Sequence, residues 1–184
     1  MKIHSDLEYI GKAEKTMYTK YATLARGSSV DRESYLFART EDNRILEGVL
    51  ISTLRTEGGY WLPDLFSKVQ NQLNAGTVEI QGRRYQYGVF SSSRVFLSYE
   101  GDFLTEKGYI IPNCFMVNGL GRIVDADART LMYIFYMEDI RPIRGKKYSC
   151  RDWNNANMLT IEQREFLKEF TDRSDKNVQI LSNV

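Results

Sequence analysis

The sequence predicts an α+β protein: N-terminal helices, then a β-hairpin and a small antiparallel SH3-like barrel, and finally a C-terminal helix. Apolar residues recur every three or four positions over residues 1–76, as they do on one face of a helix. From residue 77 they alternate at every second position, as they do in strands. The 184 residues are expected to form one compact domain with a helical region at 1–76, a β-rich region at 77–150 and a C-terminal helix and tail at 151–184.

The first predicted helix carries an apolar stripe whose members are spaced alternately by four and three residues. This is the spacing of a heptad repeat, in which Glu14 is the one polar member. Such a stripe is typical of a helix packed on its own domain, and also of a helix that pairs with another subunit. The stripe consists of Ile3, Leu7, Ile10, Glu14, Met17, Tyr21 and Leu24.

Two further helices are predicted before residue 77. The second begins at Thr40, a favourable N-cap residue, and ends before Gly58. The third begins at Pro63, because proline suits the first turn of a helix, and ends at Gly76. Their apolar positions are Ile45, Leu46, Val49, Leu50 and Leu54 in the second helix and Leu62, Leu65, Phe66, Val69 and Leu73 in the third.

The β-rich region is predicted to begin with a hairpin, in which alternating apolar residues flank a turn at residues 81–83. A barrel of the SH3 or Tudor type is predicted from residues 99–143, where short β-rich runs are separated by Gly119 and Gly121 and by a polar turn at 125–127. Thr160 and Gln163 then form a capping-box pattern, which predicts the start of the C-terminal helix.

Charge and cysteine content narrow the functional classes. The 25 Lys and Arg residues nearly balance the 24 Asp and Glu residues, whereas a dedicated nucleic-acid-binding protein is usually more basic. Two cysteines are too few for a disulfide framework, and no apolar run approaches the roughly 18 residues that span a bilayer. Without a signal-peptide pattern, the sequence predicts a protein of the reducing cytoplasm.

Few residues are available for catalysis or metal binding. His4 is the only histidine, and with Cys114 and Cys150 it gives too few ligands for a structural zinc site. Asp125 and Asp127 could hold Mg²⁺ or Ca²⁺ or share acid–base chemistry, but the same pair is typical of a polar hairpin turn. The sequence therefore predicts no catalytic residue, no metal and no cofactor.

One order of residues resembles an enzyme family. Arg26, the serine run at 91–93 and Glu138 follow the Arg…Ser…Glu order of arginine-type ADP-ribosyltransferases, although the Glu-x-Glu or Gln-x-Glu signature of that family is absent. The resemblance implies that Arg26 and Ser92 would hold a nicotinamide dinucleotide and that Glu138 would activate the acceptor.

Two groups of side chains in the second half of the chain are candidate binding residues. Aromatic residues crowd the predicted barrel, and some of them must face outward because neighbours on a strand point to opposite faces. A basic cluster with nearby aromatics follows the barrel and suits a phosphate backbone or an acidic protein surface. Together with the first helix, the candidate partner-binding residues are Ile10, Met17, Tyr21, Leu24, Tyr99, Tyr109, Tyr133, Arg141, Arg144, Lys146, Lys147 and Arg151.

These observations predict a non-enzymatic binding or assembly subunit that acts through protein–protein contacts, by self-association or with a protein partner. Connector and adaptor subunits of virus or phage particles are similarly small and cysteine-poor, and the description also fits subunits of other large complexes. No membrane association is expected. The alternatives are a nucleic-acid-binding module that uses the basic edge at residues 141–151 and a small enzyme of the ADP-ribosyltransferase type.

Overall fold

The structure, a computed structural model, describes residues 2–3, 6–19, 28–66, 69–93, 100–140, 142–143 and 145–179. No helix in these ranges has both the length and the apolar character needed to cross a membrane. Two short 3₁₀ turns, at Cys150–Trp153 and Ala156–Met158, precede the last helix. The strands and helices are, in chain order, β1 (Lys2–Ile3), β2 (Glu8–Thr19), β3 (Ser28–Glu41), β4 (Arg44–Thr56), β5 (Gln72–Ile80), β6 (Arg83–Ser93), α1 (Glu100–Glu106), β7 (Cys114–Ile123), β8 (Thr130–Asp139), α2 (Ile161–Asn177) and β9 (Val178–Gln179).

Seven strands form one antiparallel sheet in the order β2-β3-β4-β8-β7-β6-β5. Strands β2–β4 and β5–β8 are two consecutive meanders, which meet where β8 pairs with β4. Residues 57–66 and 69–71 therefore belong to the segment that crosses the sheet and brings the chain from β4 to the far edge at β5. We call the face that they cover the crossover face, and the opposite face, on which α2 packs, the helix face. β1 and β9 form a separate two-stranded pair.

This open sheet shows that the predicted fold class is wrong. In the described part of the chain, the residues predicted as three helices form β2, the end of β3, β4, the start of β5 and part of the crossover segment, of which residues 57–66 and 69–71 are described. Strand dominates the structure, at 54% against 20% for helix. The edge strands β2 and β5 are not paired with each other, so the sheet does not close into an SH3-like barrel.

A β-bulge explains why β2 resembles a helix in sequence. The pairing of β2 with β3 shifts between Tyr9 and Gly11, which inserts one extra residue. In a regular strand, residues seven apart point to opposite faces, but the bulge returns Met17 to the face of Ile10. Both side chains therefore pack on the crossover face, and their heptad spacing is that of a bulged strand.

The predicted second helix is a strand whose apolar run is buried on both faces of the sheet. Ile45 and Leu50 belong to the core on the crossover face, and Val49 belongs to the core on the helix face. Such a run cannot be distinguished from a buried helix by periodicity alone. The informative signal lies just before it, where Asp42 and Asn43 adopt positive φ angles of 48° and 61° in the two-residue turn between β3 and β4.

The predicted third helix is the crossover segment, whose large side chains need glycines on the strands below them. A Cβ atom at Gly88 or Gly119 would lie 2.9 Å from the ring of Phe66. A Cβ atom at Gly121 would lie 2.8 Å from a methyl carbon of Leu65. Gly119 and Gly121, which the sequence predicts as breaks between barrel strands, thus lie inside β7, where the missing side chains admit the crossover segment.

Three local predictions are confirmed. The β5–β6 hairpin forms with its turn at residues 81–82. Asp125 lies in the β7–β8 turn, where its carboxylate accepts a hydrogen bond from the backbone N–H of Thr130 at 2.9 Å. Thr160 and Gln163 form a reciprocal capping box at the start of α2. Each of these features depends on residues that are close together in the sequence.

The helix face is covered by α2 and by the two 3₁₀ turns, the first of which is fixed by a disulfide. Trp153 and Phe170 are fully buried in this core. Cys150 forms a disulfide with Cys114 at the start of β7, and their Cα atoms are 5.5 Å apart. A disulfide is typical of an oxidising compartment, unlike the reducing cytoplasm that the sequence predicts.

Candidate functional site

The crossover face contains a cavity of about 650 Å³, bounded by the crossover segment and by strands β3, β4, β6 and β8. Its floor is apolar and largely aromatic. The rings of Tyr133 and Phe135 stack there with their centroids 5.1 Å apart, and Phe66 meets Tyr133 edge-on at 5.8 Å. Its rim is polar and includes Arg32, Gln70, Asn71, Ser92, Ser93 and Arg151.

A buried ion pair positions Arg32 at this rim. Its Nη2 atom lies 2.6 Å from Oε1 of Glu100, the first residue of α1, whose side chain is almost completely buried. The same oxygen accepts a hydrogen bond from the Ser34 hydroxyl at 2.7 Å, and Ser34 is 2.8 Å from the Ser52 hydroxyl. Oε2 of Glu100 has no hydrogen-bond partner among the described residues. The network joins β3, β4 and α1 and restrains the Arg32 guanidinium.

Arg151 is held at the same rim by the fixed position of its neighbour. The preceding residue, Cys150, is bonded to Cys114 of β7 through the disulfide. The backbone carbonyl of Cys150 also accepts a hydrogen bond from the Ser91 hydroxyl of β6, at 2.8 Å. These two links attach the first 3₁₀ turn to the sheet. The backbone of Arg151 is therefore fixed, although its side chain is exposed.

The edge strand β2 has paired charges along one of its faces. Nζ of Lys12 lies 2.6 Å from Glu14 and 2.7 Å from Glu33 of β3. Hydrogen bonds to Glu14 and then Glu33 raise the pKa of Lys12 above its ordinary value, so the ammonium group keeps its charge. Tyr9 and Tyr18 are exposed to 56% and 72%. On the side away from β3, no strand in the described part of the chain pairs with β2.

The predicted apolar and aromatic contact residues that the structure describes lie in the floor of the cavity and in the core of the crossover face. Tyr133 lies in the floor of the cavity. Ile10 is buried in the core of the crossover face, and Met17 and Tyr109 are half-buried against it. These three side chains are mainly core residues. The remaining members, Tyr21, Leu24 and Tyr99, lie outside the described residues.

The predicted basic cluster is described only in part. Lys146 and Lys147 are exposed, and the ammonium group of Lys146 lies 5.2 Å from the centre of the Tyr148 ring. Arg151 is also exposed, but it belongs to the rim of the cavity. A nucleic-acid surface at this edge stays a prediction, because two of its members lie outside the described residues, namely Arg141 and Arg144.

The residues of the ADP-ribosyltransferase resemblance are not brought together where the structure describes them. Ser92 lines the cavity on the crossover face. Glu138 lies on the helix face, where its carboxylate is 3.0 Å from Arg173 of α2. The sheet therefore separates these two side chains, and Arg26 lies outside the described residues.

Asp125 and Asp127 form local polar contacts in the β7–β8 turn. Although burial acts to raise it, the pKa of Asp125 is lowered by hydrogen bonds from the side chain and backbone of Thr130. Asp127 forms an ion pair with Arg129 at 3.3 Å. Within the described ranges, no group of three or more His, Cys, Asp or Glu side chains is arranged to hold a metal ion. His4 lies outside these ranges.

A second polar cluster, on the helix face, ties α2 to the sheet. The buried Tyr136 hydroxyl donates a hydrogen bond to Glu47 at 2.8 Å, and Glu47 also accepts one from Arg39 at 2.7 Å. Glu138 accepts a hydrogen bond from Arg173 at 3.1 Å. Burial raises the pKa of Glu138, and burial together with the two nearby glutamates raises that of Tyr136, which therefore remains a donor. Since each carboxylate is paired with an arginine, the cluster is explained by its structural role.

The ion-pair network behind the cavity and the Trp61 side chain in its lining have no local signal in the sequence. Ser34 and Glu100, which meet beside Arg32, are 66 positions apart. Trp61 lies in an irregular segment, where its indole N–H donates to the backbone carbonyl of Arg129 at 2.9 Å. Only the pairing of distant strands brings these side chains together.

Comparisons with known proteins matched this chain to no protein family, no curated protein and no solved structure. Its function therefore has to be inferred from the surfaces described above, namely the cavity on the crossover face and the edge strand β2.

Proposed function

We propose that the protein is a non-enzymatic assembly subunit that associates with a second copy of itself through the edge strand β2. One observation supports this proposal most directly. Over 12 residues, the side of β2 that faces away from β3 has no strand partner in the described part of the chain. Unpaired N–H and C=O groups on a long edge strand favour pairing with another strand. Two copies paired in this way would join their seven-stranded sheets into one.

The charges of β2 are complementary to those of a second, antiparallel copy. If the two-fold axis passes through Ala13, Lys12 of each copy lies opposite Glu14 of the other copy. Opposite charges directly across two strands are favourable, whereas like charges are unfavourable.

The other edge strand, β5, is less suited to self-pairing. Its central residues, at positions 74–77, are Asn, Ala, Gly and Thr, which offer little side-chain area to a partner. β2 instead presents Tyr9 and Tyr18, each more than half exposed. Tyrosine is enriched in protein interfaces because it combines a large contact area with a polar end. The charges of β2 also disfavour registers that are not complementary.

The proposed role is structural. An open sheet that is extended by a second copy gives a rigid two-subunit unit, which would suit a connector or adaptor component of a virus or phage particle or of another large complex. The separation of Ser92 from Glu138 by the sheet also favours a non-enzymatic role over the transferase alternative.

Charge reversal on β2 tests this proposal. The mass of the protein in solution is measured by size-exclusion chromatography with light scattering, over a range of concentrations, for the wild type and for Lys12→Glu and Glu14→Lys. We expect the wild type to dimerise and each variant to dimerise about tenfold more weakly, because each variant places like charges opposite one another. Mixing the two variants, or combining both changes in one chain, restores opposite charges and is expected to restore the dimer.

Glu79→Lys is the matched control, because it reverses one charge on the other edge strand, β5. Its dimerisation should equal that of the wild type. A wild type that stays monomeric at every concentration would contradict the proposal. A dimer that is weakened by Glu79→Lys and insensitive to charge reversal on β2 would contradict it as well.

A further inference from the structure

We infer that the cavity on the crossover face binds a small amphipathic anion, whose head group lies between Arg32 and Arg151 and whose apolar body lies on the aromatic floor. The cavity belongs to a single chain, so this inference does not depend on self-pairing through β2. Its volume of about 650 Å³ falls within the roughly 300–1,000 Å³ that is usual for small-molecule sites.

The floor provides a preformed apolar surface for the body of the ligand. Trp61 and Phe66 come from the crossover segment, and Phe90 and Tyr133 come from the strands below. The hydrogen bond from the Trp61 indole to the Arg129 carbonyl fixes the largest of these side chains. Because packing already orders them, a ligand would not have to do so on binding.

The charge of the rim selects an anion. Arg32 and Arg151 both line the cavity, whereas its described lining includes no aspartate and no glutamate. Glu100 neutralises Arg32, while exposed Arg151 adds a positive charge that no acidic lining residue offsets. A guanidinium group matches the planar geometry of a carboxylate with two parallel hydrogen bonds. We therefore assign a carboxylate as the head group.

The remaining rim residues support binding without reaction. Ser92 and Ser93 can donate to, or accept from, a head group beside the arginines. Within the described lining, no histidine or acidic side chain is present to activate a serine, and Cys150 is bonded to Cys114. The site therefore recognises its ligand by charge and apolar contact.

Titration with dodecanoate, followed by intrinsic tryptophan fluorescence, tests this inference. Trp61 lines the cavity and reports on its occupation, whereas Trp153 is buried in the core of the other face. Dodecanol is the matched probe, because it has the same alkyl chain without the charge. We expect a saturable response to dodecanoate and about tenfold weaker binding of dodecanol.

Three variants locate the site. Arg151→Ala is expected to weaken dodecanoate binding about tenfold and to leave dodecanol binding unchanged. Lys147→Ala removes a charge from the same region without touching the cavity, so it should change neither affinity. Val69→Phe narrows the cavity and should weaken the binding of both probes. If circular dichroism shows that this variant does not fold, Ser92→Phe fills the cavity from β6 instead.

The charge of the ligand and the location of its site are tested by different results. Equal affinities for dodecanoate and dodecanol would overturn the assignment of an anion. The site itself would be overturned by the absence of a saturable response to dodecanoate, by equal losses in Arg151→Ala and Lys147→Ala, or by unchanged binding in the variant that fills the cavity.

Discussion

At the scale of single residues, Arg32 organises the site on the crossover face. Its side chain is 12% exposed, and that of its partner Glu100 is 2% exposed. Such a buried pair adds little net stability, because the loss of hydration of both groups opposes their attraction. Removal of one partner, however, leaves the other charge buried and unpaired. Glu100 therefore acts mainly to hold Arg32 in place.

Glu100→Gln is expected to lower the free energy of unfolding by about 3 kcal/mol, since it leaves Arg32 without its counter-charge. The change is measured by urea denaturation. Glu106→Gln, at the exposed end of the same helix, is the control and should alter stability by no more than about 0.5 kcal/mol. Equal stabilities of the two variants would show that the ion pair is dispensable.

At the scale of elements, features set by neighbouring residues could be predicted from the sequence, and features set by distant contacts could not. The capping box at Thr160 and the β5–β6 turn involve only nearby residues. Strand β2 could not be recognised from the local sequence, because its bulge gives Ile10 and Met17 a helix-like spacing. Strand β4 could not be recognised because it is buried on both faces and its apolar and polar residues therefore do not alternate. The cavity rim was unpredictable because Arg32 and Arg151 come from distant segments that only the sheet and the disulfide bring together.

The free energy of unfolding is expected to depend on pH through Glu138, which pairs with Arg173 of α2. Burial raises the pKa of Glu138 above its ordinary value of 4.5, although Arg173 acts in the opposite direction. The folded protein therefore favours the protonated form, which contributes stability that is present below pH 4.5 and is lost as the pH rises through the folded-state value. Glu138→Gln removes this titration. Relative to the wild type, we expect the variant to gain stability as the pH rises from below 4.5 through the folded-state pKa of Glu138.

Denaturant unfolding at a series of pH values measures this difference. Glu169→Gln, which replaces an exposed carboxylate on α2, is the control and should keep the pH dependence of the wild type. Parallel stability curves for the wild type and Glu138→Gln would show that Glu138 does not titrate differently in the folded and unfolded states.

At the scale of the whole molecule, two meanders share one sheet, and each face has its own cover. The crossover segment covers one face and α2 covers the other. The disulfide between Cys114 and Cys150 connects the sheet to the segment that leads into α2, across 36 positions of sequence. It therefore links the rim of the cavity to the cover of the helix face.

A cross-link across a loop of this length restricts the unfolded chain and is expected to stabilise the protein by roughly 4 kcal/mol. The double variant Cys114→Ala with Cys150→Ala should be less stable than the oxidised wild type by that amount in urea denaturation. A reductant should lower the stability of the wild type to that of the variant and leave the variant unchanged. Free thiols in protein purified under oxidising conditions, or a wild type indifferent to the reductant, would argue against the bond.

Amide hydrogen exchange of β2 at low and high protein concentration tests association through this strand most directly. If two copies pair along β2, the N–H groups of β2 that point away from β3 become hydrogen-bonded to the other copy. These amides should therefore exchange more slowly at high protein concentration. The amides of β5, the other edge strand, should exchange at the same rate at both concentrations. Exchange of β2 that does not depend on concentration, or protection that is confined to β5, would contradict the proposed assembly.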